Sequence, residues 1–312
     1  MTENLKIVVA YDGSDCANAA LDDLKHAGLP AVAQAVVISV AEMSDSRASG
    51  FLIAREVSSK LTAAGLNVAC AGGSSIPEET QAIAFKAADR IRQMFPFWDV
   101  SAETDFGSPA ERILASAATL EADLIIVGSH GRSALGRLLL GSVSQKIVTE
   151  AHCSVRIARA PVEEGDHPAR IVIGVDGSTS AEPAIRAVAS RTWPQGSKVL
   201  LIAAHEPVVP TTVGQLIPPA VKAAGEFDKK ECKWLSNMLA AQSLLLRTAG
   251  LDVSLRIKTG DPREILLEDA EEWRADSIFV GVRGISRIER LRVGSVSASI
   301  AARAHCSVEV VR

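Results

Sequence analysis

"EADLIIVGSHGRSALGRLLLGSVSQKIVTEAHCSV", Glu121–Val155, returns later in the chain as "RADSIFVGVRGISRIERLRVGSVSASIAARAHCSV", Arg274–Val308. Each copy runs from a short β-branched stretch into a glycine and crosses a loop of fixed glycine spacing. It then opens a serine-led segment and ends on a second apolar run. A four- to eight-residue apolar run closed by glycine reads as a buried strand, and the segment after "GS" reads as a helix. Strand, loop, helix and strand in that order make the fold class α/β.

The repeat extends outward from this stretch. "IVVAYDGS" (Ile7–Ser14) matches "IVIGVDGS" (Ile171–Ser178) at an offset of 164, and "GSPAERIL" (Gly107–Leu114) matches "GDPREILL" (Gly260–Leu267) at 153. That period is far longer than a solenoid unit, so the copies are whole domains. The drop in offset places 11 extra residues in the first copy, between about 42 and 98. Domains are expected over 1–160 and 170–312, joined by a linker over 161–169 within the acidic, proline-flanked "APVEEGDHPA". Strands are expected near 5–11, 34–40, 98–104, 123–128 and 153–158, and near 170–175, 198–204, 251–258, 276–281 and 306–311. Most are apolar on both faces, as parallel strands covered by helices are. Helices are expected to open at Ser14 and Ser178 and to close before Pro30 and Pro194. The reading is two doubly wound domains, each with a five-stranded, mainly parallel sheet.

Composition narrows the function classes. The 312 residues suffice for two cores. A net charge of −4 gives no basic field for nucleic acid or an anionic membrane, and aromatics at 4% argue against an aromatic binding surface. The N-terminus lacks a basic region and signal-like run, and no apolar stretch is long enough to span a bilayer, so a cytoplasmic protein is expected. Five cysteines without a CxxC pair suit a reducing compartment, with the thiols packed as small apolar residues.

The loops carry the chemistry. Gly128, Gly131 and Gly141 in the first copy, and Gly281, Gly284 and Gly294 in the second, share one spacing, G-x-x-G-x₉-G-S. In a doubly wound sheet ligands bind beyond the carboxyl ends of the strands. The helices opening at Gly141–Ser142 and Gly294–Ser295 would present free N–H groups and a positive dipole end there, which favours phosphate. Glycine would allow a positive φ and a close approach of an oxygen. Arg132 and Arg137, and Arg283, Arg287, Arg290 and Arg292, would complement a polyphosphate. Glycines at strand ends also simply make turns, but turns alone do not require the same nine-residue gap twice. No Walker A loop, Rossmann fingerprint, nucleophile elbow, zinc motif or EF-hand loop is present.

With the "DGS" turns, the G-x-P turns and the terminal "AHCSV" strands, this pattern resembles the nucleotide-binding signature of the universal stress protein family. The resemblance covers essentially the whole chain twice, and implies a tandem member of the ATP-binding branch with an adenine nucleotide alpha hydrolase-like fold. It implies that Asp12 and Asp176 bond ribose hydroxyls, with Ala10 and Gly174 lining the pocket; the alternative for the aspartates is a turn or cap. Val40 and Ala204 would face adenine, or only pack. Gly128, Gly131, Arg132, Gly141, Ser142, Val143 and Ser144 would hold the phosphates, as would Gly281, Gly284, Gly294, Ser295, Val296 and Ser297. The expected ligand is ATP, with Mg²⁺ bridging its phosphates though no metal-ligand cluster announces it. The implied activity is nucleotide-dependent regulation in stress response rather than catalysis. A slow ATPase or phosphotransferase and a nucleotide-independent scaffold are the alternatives. The two copies would form an internal pseudo-dimer through their final strands, with Val155 and Val308 near its axis, and a homodimer of such chains is a further expectation. Ser154 and Ser307 stand where many relatives have proline, so the terminal strand is expected to pair a little differently. Arg283 occupies the place of His130 in the second copy, which speaks against a histidine-specific role. His152–Cys153 and His305–Cys306 read as strand entry and packing. The segment 207–219 reads as a lid or as a surface loop.

Overall fold

The computed structural model describes residues 4–42, 78–130, 140–159, 167–177, 181–205, 218–282 and 293–312. The apolar runs become strands because their β-branched side chains are buried on both faces. In β1 (Leu5–Ala10), for example, Ile7, Val8 and Val9 are all fully buried. β2 (Ala33–Ala41) and β4 (Leu124–Gly128) flank β1 in parallel. β3 (Asp99–Phe106) lies beyond β2, and β5 (Ser154–Ala158) beyond β4. The second copy repeats this with β6 (Arg170–Val175), β7 (Lys198–His205), β8 (Asp252–Thr259), β9 (Ser277–Gly281) and β10 (Ser307–Val311).

The two sets of five strands are not separate sheets. β5 and β10 pair antiparallel, giving one ten-stranded sheet in the order β3-β2-β1-β4-β5-β10-β9-β6-β7-β8. Val155 opposes Val310, Arg156 opposes Glu309 and Ile157 opposes Val308. The pseudo-two-fold axis therefore passes at Arg156 and Glu309, with Val155 and Val308 beside it, as expected. The two serines that stand at the start of these strands both take part in the junction. Arg312 N–H donates to Ser154 Oγ at 3.3 Å, and Arg159 N–H donates to Ser307 Oγ at 3.0 Å. The guanidinium of Arg159 reaches the carbonyls of Ala301 and Cys306, while that of Arg312 reaches their counterparts Val148 and Cys153. Each half thus clamps the other with equivalent bonds.

Helices cover both faces. α1 (Asp15–Asp23) follows β1, α2 (Glu78–Met94) precedes β3, α3 (Pro109–Leu120) follows it, and α4 (Ser142–Glu150) precedes β5. Their counterparts are α5 (Glu182–Ala189), α6 (Pro218–Thr248), α7 (Pro262–Glu272) and α8 (Ser295–Arg303). Ser14 caps α1, its Oγ accepting from Ala17 N–H at 3.1 Å, as the sequence implies. Ser178 lies outside the described residues; regular helix begins at Glu182, whose N-cap Ala181 makes no side-chain bond. Both helices close before their prolines. The extra residues of the first copy fall between β2 and β3. Of the segment 207–219, only Pro218 and Pro219 are described, and they open α6. Among the described residues no helix is long and apolar enough to cross a membrane.

Three cores result. One face of the sheet, under α3, α4, α7 and α8, is a single apolar layer from Val8 and Val36 through Val155 and Val308 to Val172 and Leu200. The other face carries two cores, one under α1 and α2 and one under α5 and α6.

Candidate functional site

In each half the strand order reverses beside the first strand: chain order leads from β1 out to β2 and β3, then back across to β4. That switch point leaves a crevice at the carboxyl edge, between β1 and β4 and between β6 and β9. Several residues singled out in the sequence meet there. Ala10 ends β1 and pairs with Ile38, Tyr11 N–H donates to the Ile38 carbonyl at 2.9 Å, and Ser39 Oγ donates to the Tyr11 carbonyl at 2.6 Å. The turn beyond β1 is thereby fixed to β2. Asp12 sits in this turn, and its Oδ1 accepts from Ser14 N–H at 3.0 Å, which orients the carboxylate. Gly13 and its counterpart Gly177 have φ of 79° and 76°, so both "DGS" turns need glycine. Asp176 occupies the matching turn. Val40 and Ala204, near the ends of β2 and β7, are half-buried and pack on the shared core.

Gly128 and Gly281 end β4 and β9. A Cβ on Gly128 would lie 2.8 Å from the Cys16 carbonyl oxygen, because the first turn of α1 passes over it. Both loops are closed by equivalent bonds, Gly141 N–H to Ser129 O at 2.9 Å and Gly294 N–H to Val282 O at 2.8 Å. Gly141 and Gly294 are the N-caps of α4 and α8, and neither makes a side-chain capping bond. The first-turn amides of both helices thus lack a side-chain cap, facing the crevice edge. The backbone φ at these caps is −62° and −63°, ordinary values, so glycine's freedom to take a positive φ is not used there. Gly131, Arg132 and Gly284 lie outside the described residues, as do Arg137, Arg283, Arg287, Arg290 and Arg292.

The four residues of "GSVS" divide their work. Ser142 and Ser295 are exposed at the helix start, whereas Val143 and Val296 pack against the shared core. Ser144 and Ser297 are buried, and their hydroxyls donate to the Gly128 and Gly281 carbonyls at 2.7 and 2.6 Å. These hydroxyls hold the helix to the strand end. Two glycines of the second half are closely covered. Leu266 and Val280 close over Gly174, where a Cβ would stand 2.9 Å from Leu266 Cδ1. Trp234, which the sequence did not single out, covers Gly177 so closely that a Cβ there would fall 2.2 Å from its ring.

Titratable groups near the loops are tuned by burial. His130, whose Nδ1 is 3.2 Å from Ser129 Oγ, is held below the ordinary imidazole value by burial and by Arg159. Burial pushes the Cys306 thiol up to about 12 and also raises Cys153, so the repeated His–Cys pairs do not present a thiolate nucleophile. Cys16, Cys153, Cys232 and Cys306 are free thiols; Cys70 lies outside the described residues. Among the described residues no three His, Cys, Asp or Glu side chains are grouped to hold a metal ion.

Comparison with known proteins gives a family model, "Universal stress protein family", that matches residues 3–159 and again 168–312. A universal stress protein of Mycolicibacterium smegmatis is 31% identical over 199 residues, covering 62% of this chain and 63% of the relative. One of Methanocaldococcus jannaschii is 36% identical over 81 residues, covering 25% of this chain and 48% of the relative. The match thus spans between about half and two thirds of these relatives' length. A crystal structure of a universal stress protein from Archaeoglobus fulgidus shares the fold, with a TM-score of 0.61 at 20% identity and 99% coverage of both chains.

Proposed function

We propose, because the chain belongs to the universal stress protein family, that each half binds an adenine nucleotide at its switch point and that occupancy regulates a stress response. The observation that carries this reading is the pairing, in each half, of a helix start without a side-chain cap with an aspartate–glycine turn of positive φ at the same sheet edge. The N–H groups of Ser142, Val143 and Ser144, and of Ser295, Val296 and Ser297, would take phosphate oxygens, with the exposed Ser142 and Ser295 hydroxyls adding donors. Asp12 and Asp176 would accept from ribose hydroxyls, and the ends of β2 and β7 at Val40 and Ala204 would face adenine. ATP is the ligand proposed, with Mg²⁺ supplying charge neutralisation between its phosphates. Binding rather than turnover is the role assigned.

Mass spectrometry of nucleotide released on denaturation, with calorimetric titration of ATP, tests the reading. Gly141→Glu sets a carboxylate at the first phosphate position and Gly294→Glu does the same in the second half. Each single variant should retain one ATP, and the double variant none. At about 100 times Kd each occupied site adds roughly 2.7 kcal/mol of stability, which each variant should lose in turn. Unchanged stoichiometry in both single variants would show that these loops are not the sites. Absence of any nucleotide and of any ATP-dependent stabilisation would leave the scaffold, and sustained phosphate release an enzyme.

A further inference from the structure

On the sheet face that carries α1 and α5, four charges, three of them buried and the fourth half-buried, cross the junction between the halves. They are Asp23 at the end of α1, Arg156 on β5, Glu309 on β10 and Arg191 just after α5. The side chains of Asp23, Arg156 and Glu309 are 3%, 0% and 1% exposed. Arg156 Nε and Nη2 donate to the two Asp23 oxygens at 2.6 and 2.9 Å, and its Nη1 lies 3.5 Å from Glu309 Oε2. Arg191 grips Glu309 with both arms of its guanidinium. Ser277 Oγ accepts from Arg156 at 2.9 Å and Ser307 Oγ donates to Asp23 at 2.7 Å. Phe279 lies against both guanidiniums, its centroid 5.1 Å from Arg191 Cζ and 6.0 Å from Arg156 Cζ. Signs alternate along the row and cancel, which is how buried charges are tolerated.

The row is not symmetric, although the fold around it is. Arg156 and Glu309 occupy equivalent places in the two copies and oppose each other directly in the β5–β10 register. The counterpart of Asp23 is Ala187, and that of Arg191 is Ala27. The first half therefore supplies a helix acid and a strand base, the second a helix base and a strand acid. Two first halves pairing through the same strand would set Arg156 against Arg156 at the axis, and two second halves would set Glu309 against Glu309. In such a like pair each strand charge keeps the partner of its own half, Asp23 for Arg156 and Arg191 for Glu309, but loses the opposite charge across the axis, and like charges directly opposed across a strand pair destabilise it.

We infer that this row is a partner code: the terminal strand of each half accepts the other kind of half and rejects a second copy of its own kind. The backbone edges alone cannot discriminate, because an antiparallel strand pair with apolar neighbours suits all three pairings. Discrimination comes from the repulsive arrangements that the charges build into the wrong pairs. The tether between the halves then holds the permitted partner at high effective concentration, so the chain closes on itself.

A protease site inserted within residues 161–166 of the full chain allows the test. After folding, the chain is nicked and held in sub-denaturing urea so that fragments can exchange, and the complexes are read by native mass spectrometry. The nicked natural sequence should give only pairs of one first half with one second half, like pairs being at least about tenfold below random assortment. Glu309→Gln should admit pairs of second halves while pairs of first halves remain absent, since Arg156 still faces Arg156 there. Arg156→Gln should do the reverse. Like pairs at their random share in the natural sequence, or fragments that separate into single halves, would overturn the code. So would two substitutions that release both kinds of like pair equally, or neither. The assortment of the unsubstituted halves decides the matter by itself, so a variant that fails to fold leaves the test standing.

Discussion

Gly128 shows how little space separates the site from the scaffold. The atom its missing Cβ would meet is a backbone carbonyl, that of Cys16, and backbone cannot swing aside as a long side chain can. Gly128→Ala should push α1 off the end of β4 at a cost of about 1–3 kcal/mol. Urea unfolding would read this as a lower midpoint, and an unchanged midpoint would mean that the helix start gives way freely. Gly177 is constrained twice, by a φ of 76° and by the indole of Trp234 over its backbone. Histidine protonation works at the same scale. His130 and His305 are both held below the ordinary imidazole value, first by burial, with Arg159 adding to it and Glu271 opposing it at His305. A lowered folded pKa means that the neutral ring is the form the fold prefers. The stability this contributes is complete above the unfolded value near about 6.5 and is lost as pH falls through the lowered folded value. Acid titration of the unfolding midpoint should therefore show a decline beginning below about pH 6.5, and His130→Asn with His305→Asn should flatten that limb. Identical profiles for the two proteins would exclude these rings as its source.

At the scale of elements, β5 and β10 are tied by hydroxyls that proline at the same places would remove. Ser307 is buried, accepts Arg159 N–H and donates to Asp23, whereas Ser154 is half-buried and accepts Arg312 N–H at the longer distance of 3.3 Å. Ser307→Ala should cost about 1–3 kcal/mol, because it strands a buried acceptor and a buried donor, and Ser154→Ala about 0.5–1.5 kcal/mol. Equal losses in denaturant unfolding would contradict this ordering. The strands themselves were legible in the sequence to within a residue or two: burial on both faces leaves apolar, largely β-branched runs in the inner strands, while the edge strands β3 and β8 are more polar and partly exposed. Helix extents were less so: α1 stops at Asp23, well short of Pro30, and α5 stops at Ala189, short of Pro194. The candidate site was legible as positions but not as directions. Glycine spacing located the helix starts, yet it did not say which serine of "GSVS" turns inward. Helical period could have: Ser144 precedes the buried Ile147 and Val148 by three and four residues, on the same face. Trp234 was invisible because no local pattern brings a residue in the middle of a long helix over a turn some sixty positions away.

For the whole molecule, the continuous core decides how the halves behave together. Val155 and Ile157 of β5 and Val308 and Val310 of β10 belong to one buried layer that reaches from α3 and α4 to α7 and α8. Opening the junction would expose that layer on one face and four charges on the other, so neither half has a finished surface alone. The chain should accordingly unfold in a single transition although it contains two copies of one domain pattern. Calorimetry gives the criterion: a calorimetric enthalpy equal to the van't Hoff enthalpy means one cooperative unit, and twice that value means two independent ones. Phe279→Ala sharpens it. Phe279 is fully buried in the second half, beneath the guanidiniums of Arg156 and Arg191 and edge-on to Trp193. Its loss should cost about 3–5 kcal/mol through the cavity and the missing ring. If the halves are coupled, the single transition moves down intact, and amides of β1 and β4 in the first half exchange hydrogen faster in step with those of β9. A thermogram that splits in two, with the first half melting at its original temperature, would show that the shared core does not join them into one unit.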